Sequence, residues 1–193
     1  MEKIVTYVFE KQADATTIEY SEVANRLFEL RFLASNGAEL LWTELVGLVK
    51  LAQQHKQNYI ILSMGMAGLN SIINADLLLE AIADAAELHT KLLIGNTTAA
   101  DATLIPLTDH LFWTDSVSGF EFLVIYNSCF DLIINEDFPF YHSVSECLEA
   151  LTSNKMLIYP MINATANAER LKVQLRMDRL MRVGIYLQQN KIL

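Results

Sequence analysis

The stretch from Asn58 to Asn96, NYIILSMGMAGLNSIINADLLLEAIADAAELHTKLLIGN, constrains the fold of this chain more than any other. Tyr59 to Met64 is a short apolar run that reads as a buried strand. Asp76 to His89 has helical spacing, with Leu77, Leu78, Ala81, Ile82, Ala85 and Leu88 on the inward side. Glu80, Asp84 and Glu87 fall on the opposite side, toward water. Lys91 to Gly95 is a strand again. A strand, a helix and a strand with short joints form a crossover unit, so the two strands are expected as parallel neighbours.

The flanking segments extend the alternation. Lys3 to Phe9 is rich in β-branched and aromatic residues and predicts a strand. Asp14 to Tyr20 is polar and loop-like, and residues 22–34 fit a helix or a strand equally. Glu39 to His55 predicts a helix with Leu41, Leu45, Leu48 and Ala52 as its stripe. Ala99 to His110 reads as a short helix containing Pro106, and residues 120–135 as one or two strands, FEFLVIYN and FDLIIN. Ser143 to Ser153 predicts a helix capped by Ser143, with Glu146 as reciprocal partner. MLIYPM at 156–161 ends in proline and reads as an edge strand. Residues 164–189 predict a long C-terminal helix with Val173, Met177, Leu180, Gly184 and Leu187 in one stripe. The expectation is one α/β domain over 1–193: a mixed, mostly parallel sheet with packed helices, and a strand–helix extension over 155–193.

Composition narrows the function classes. The chain is 52% apolar with mean hydropathy +0.25, which argues for a large core or a partner interface and against disorder. No apolar run reaches the roughly 18 to 20 residues that cross a bilayer. The charged start MEKIVTYVFEKQ does not read as a leader, so a cytoplasmic location without membrane insertion is expected. Net charge is −9, yet residues 169–193 carry Arg170, Lys172, Arg176, Arg179, Arg182 and Lys191 against Glu169 and Asp178. The body is therefore strongly acidic, which argues against nucleic acid as partner. Lys172, Arg176 and Arg179 beside an apolar stripe suit a surface helix or a docking element for a partner or a second copy.

Few residues suggest chemistry. Gly65 to Ser71 lies at the carboxyl end of a predicted strand, where open α/β sheets bind ligands, but it lacks the glycine and lysine spacing of a phosphate loop. Gly65 and Gly68 permit a tight turn, and Asn70, Ser71 and Asn74 are good helix caps. His55, His89, His110 and His142 are scattered, and Cys129 and Cys147 stand 18 apart, so no metal site, disulfide or cofactor is expected. The two thiols read as core residues. Asp109-His110 with Asp115 could act as an acid–base pair, although a surface turn is the plainer meaning. No catalytic residue is assigned.

The run from Asn58 to Asn96 resembles the centre of a STAS domain, the fold of anti-sigma-factor antagonists and sulfate-transporter tails. In that family a strand of the type LDLS leads to a D-S or N-S pair opening a helix, followed by a strand of the type KLLLVN. FPFYHSVSECLEAL at 138–151 is similar to the family's closing segment. The resemblance spans about 35–151, with residues near 109–137 as extra material. It implies that Ser71 is the phosphorylatable serine, with Asn70 in the acidic or amide position before it. A phosphate there would meet the free amides and positive end of a helix. The chain departs from the pattern at Ser63, where the family has Asp, and at Ile72-Ile73, where a glycine follows the serine.

Three functional expectations follow. The first is a non-enzymatic cytoplasmic regulator or adaptor working through protein–protein contact, with Gly68, Asn70, Ser71 and Asn74 as contact surface and Ser71 as a phosphorylation switch. The second is a ligand-binding protein or enzyme using the strand ends, at Asn96, Thr97, Asn135 and Asp137. The third is a scaffold or secretion-type adaptor in a fixed complex.

Overall fold

The computed structural model describes residues 3–10, 26–34, 40–66, 69, 72, 75–97, 102–108, 110–138 and 143–158. Their strands are β1 (Ile4–Glu10), β2 (Phe28–Ala34), β3 (Tyr59–Met64), β4 (Leu92–Thr97), β5 (Leu104–Pro106), β6 (Leu111–Thr114), β7 (Phe120–Tyr126) and β8 (Lys155–Ile158). The helices are α1 (Trp42–Gln54), α2 (Ala75–Glu87), α3 (Phe130–Asn135) and α4 (Val144–Leu151). All eight strands form one sheet in the order β2-β1-β3-β7-β4-β8-β6-β5. The sheet is mixed, as expected, but not mostly parallel: three pairings are parallel and four antiparallel, because β7 and β6 run against their neighbours.

The expected adjacency of residues 59–64 and 91–95 is corrected by this order. β3 and β4 run the same way, but β7 lies between them and pairs antiparallel with both. The reason is in β7 itself. FEFLVIY buries every residue except Glu121, so it needs cover on both faces and a pairing partner on both edges. A central position supplies all four. The segment that looked like extra material is thus the middle of the sheet.

Three other expectations change, and one ambiguity is settled. FDLIIN forms α3 rather than a strand, entered through a short 3-10 turn at Asn127–Cys129. Residues 104–106 form β5 rather than helix, and Pro106 sits there on the outermost strand, where a missing N–H donor costs least. β8 is not an edge: it pairs with β4 and β6, and its ladder positions end before Pro160. Residues 28–34, ambiguous in sequence, are strand β2. The C-terminal helix expected at 164–189 lies outside the described residues.

Helices cover both faces. On one, α1, α3 and α4 pack through Leu45, Val49, Ala52, Phe130, Ile133, Cys147 and Leu148 onto Ile60, Leu62, Leu123 and Ile125. On the other, α2 packs through Leu78, Ala81, Ile82 and Ala85 onto Ile61, Leu93 and Val124. The α1 stripe is rotated from the expected one. Trp42 and Val49 are buried, while Leu41 is exposed and Leu48 only half-buried. Leu88, expected inward, is exposed past the end of α2. Trp42 also fixes α1 against α3: its Nε1 donates to the Glu136 carbonyl at 3.2 Å, and Gln53 Nε2 donates to Asp131 Oδ1 at 2.8 Å.

Candidate functional site

The joint between β3 and α2 was the first candidate. Gly68, Asn70, Ser71 and Asn74 lie outside the described residues. The described parts of the joint are apolar anchors. Met66, Leu69 and Ile72 are all buried in the α2-side core, and the Ile72 N–H donates to the Leu69 carbonyl at 3.2 Å. Ile72, one of the departures from the STAS pattern, therefore serves as a core residue. At the strand end, Gly65 adopts φ +80°, a left-handed conformation that suits glycine, and its carbonyl accepts the Ser63 hydroxyl at 2.6 Å.

The strand-end alternative is not assembled as expected. Asn96 and Thr97 close β4, and their side chains lie outside what is described. Asn135, Glu136 and Asp137 are exposed and leave a helix, not a strand, because FDLIIN folds as α3. Asp109 is outside the described residues, and Asp115 accepts the Thr103 N–H at 2.7 Å. The carboxylate that meets His110 is instead Asp84, with Nε2 and Oδ2 3.0 Å apart. Glu80 stands one turn before Asp84 on α2. Among the described residues, Glu80, Asp84 and His110 are the one set of three His, Cys, Asp or Glu side chains whose donor atoms converge, all within 4.8 Å of one another. No family model matches the chain, and no curated protein matches it.

A second polar cluster also escaped the sequence reading. Glu149 on α4 accepts on one carboxylate oxygen from Ser116 Oγ at 2.6 Å and from the N–H groups of Val117 and Ser118 at 2.7 and 3.0 Å. Lys155, only 3% exposed, donates its ammonium to the carbonyls of Glu149 and Thr152 at 3.3 and 2.9 Å. These belong to the last turn of α4 and the residue after it, so the cation closes the negative end of the helix. Burial lowers the Lys155 pKa, and the charges of Glu149 and Asp115 oppose that shift. The bonds of this cluster run from α4 to the turn before β7 and to β8, so it is a clasp for α4. Cys129 and Cys147 are buried, the core placement expected of them, and burial pushes Cys129 up to about 11.

The remaining surface feature is the outer end of the sheet. β2 has β1 as its pairing partner among the described residues. Phe32 on β2 is 46% exposed, and Leu41 at the start of α1 is 53% exposed. Glu29 and Arg31 form an exposed pair at 3.0 Å beside Phe32. No helix among the described residues is long and apolar enough to cross a membrane.

Proposed function

We propose that the protein is a non-enzymatic adaptor or regulator that works by protein–protein contact, through the outer end of the sheet at β2. The observation that carries this reading is Phe32: a large aromatic side chain nearly half exposed on the outermost strand. A strand in that position offers backbone donors and acceptors to a further strand, and an aromatic beside it supplies an anchor. The high apolar content points the same way. Phosphorylation at Ser71 rests on the STAS resemblance alone, since the reading of the residues assumed β3 and β4 to be neighbours. The contact reading does not need it.

The test uses the whole chain as bait in a lysate of its source cells, with capture read by mass spectrometry. Covering the exposed half of a phenylalanine stabilises a complex by about 1 kcal/mol, and a buried unpaired carboxylate costs more. Phe32→Glu is therefore expected to weaken capture about tenfold or more, with unchanged far-UV circular dichroism. Equal recovery by wild type and by Phe32→Glu refutes this surface. A self-associating chain would show the same sensitivity in sedimentation velocity, making the partner a second copy.

A further inference from the structure

We propose that Glu80, Asp84 and His110 form a binding site for a divalent transition-metal ion. Glu80 and Asp84 are four residues apart on α2, so both carboxylates leave the same side of the helix. His110 comes from a different element, the turn between β5 and β6. That turn is tied in place: the N–H groups of Leu107 and Thr108 donate to the Leu111 carbonyl at 2.8 and 3.1 Å, and the Leu111 N–H donates to Thr108 Oγ1 at 3.0 Å. The helix is tied by Ala81, Ile82 and Ala85, all buried between or beside the two acids. The imidazole side chain is 16% exposed and that of Asp84 37%, while Glu80 is exposed, so the set lies at the surface with its histidine partly sheltered and open to solvent.

The geometry of His110 and Asp84 fits an ion as it stands, and Glu80, whose carboxylate lies within 4.8 Å of both, closes on it by a side-chain adjustment. Two ligand atoms 3.0 Å apart, each about 2.1 Å from a metal, subtend about 90° there, the angle between neighbouring octahedral positions. A tetrahedral ion asks for about 3.4 Å, a change of a few tenths of an ångström. Charge favours it as well, since among the described residues no Lys or Arg pairs with either carboxylate. Mixed nitrogen and oxygen donors select first-row divalent ions over the softer thiolate metals and over the all-oxygen sites of calcium. Three protein ligands would leave further positions to water.

The experiment is titration of the metal-free full chain with Zn2+ in competition with a coloured chelator, repeated on Glu80→Gln, Asp84→Asn and His110→Ala. Wild type is expected to bind one ion, and each substitution to weaken binding at least about tenfold, the scale on which even groups behind the ligands act. Circular dichroism and melting of the metal-free variants separate loss of the ligand from loss of the fold. The two isosteric variants keep the test valid if His110→Ala unfolds. Co2+ gives an independent readout, with ligand-field bands and no thiolate charge-transfer band. Zn2+ uptake that is absent, or equal in wild type and isosteric variants, overturns the proposal. So does a thiolate band, which would place the metal on Cys129 or Cys147.

Discussion

Replacing Gly95 by alanine is the sharpest test of how β7 is seated. In the β4–β7 ladder Ile94 faces Leu123 and Asn96 faces Phe122, so Gly95 is an extra residue with no opposite number. The ladder recovers one step later, where Thr97 faces Phe120 and Glu121 is skipped on the other strand. Gly95 thus forms a bulge that brings backbone against the face of the Phe122 ring. A Cβ built there would overlap that ring. Phe122 is completely buried, flanked by β3 on its far side through Ser63, so it has nowhere cheap to move. Overpacking costs about 1–3 kcal/mol, and a clash with an immobile ring belongs at the upper end. At about 3 kcal/mol, a chain of this size should lose roughly 6–12 °C in melting temperature. Urea unfolding followed by circular dichroism gives the free energy directly. Phe122→Ala alone should cost about 3–5 kcal/mol by leaving a cavity. The double variant should cost less than the sum of the two, because the new methyl enters the space the ring left. A Gly95→Ala effect within about 0.5 kcal/mol, or strict additivity in the cycle, refutes the packing argument.

Ser143→Ala should destabilise the chain by about 1 kcal/mol in the same urea assay, since Ser143 Oγ accepts the Glu146 N–H at 3.2 Å while Glu146 returns a bond to the Ser143 N–H at 2.8 Å. Neither cysteine should react with Ellman's reagent at pH 8 in the folded chain, because burial raises both thiols and Cys129 reaches about 11; both should react in urea, and rapid labelling of the native protein contradicts the buried placement. Lys155→Met should leave the carbonyls of Glu149 and Thr152 without their partner and cost about 1–3 kcal/mol near neutral pH. The folded-state pKa of Lys155 lies below its ordinary 10.5, so between the two values the unfolded chain holds more protons and wild-type stability gains with rising pH. The stability of wild type relative to Lys155→Met should therefore grow with pH through that window, and a flat difference removes the argument.

The elements whose periodicity was strong are legible in the sequence. The strand at 59–64, α1, α2 and the Ser143–Glu146 cap all follow from residue spacing and local hydrogen bonding, which depend on neighbours a few positions away. Where local signals conflicted, burial decided. FDLIIN has the content of a strand, yet Phe130 and Ile133 at a three-residue step bury one side against the sheet and the segment coils. The strand LFWT at 111–114 was not anticipated at all, because four residues carry too little pattern to stand out beside their turn. The site candidates suffered from the same limit: His110 and Asp84 are 26 residues apart, and no spacing rule links a helix face to a distant turn.

The sequence by itself determined that this chain is a mixed α/β protein with two amphipathic helices around a strongly apolar strand, because hydrophobic periodicity is a local property; the strict alternation it suggested gives way to four successive strands, β4 to β7. Tertiary structure alone decided which strands touch. β7 separates β3 from β4 because a run that is apolar on both sides is satisfied only between two other strands and under two layers of helix. That same strand order, together with the turn before β6, sets His110 beside the carboxylates of α2, a meeting that depends on long-range packing and leaves no trace in the linear pattern.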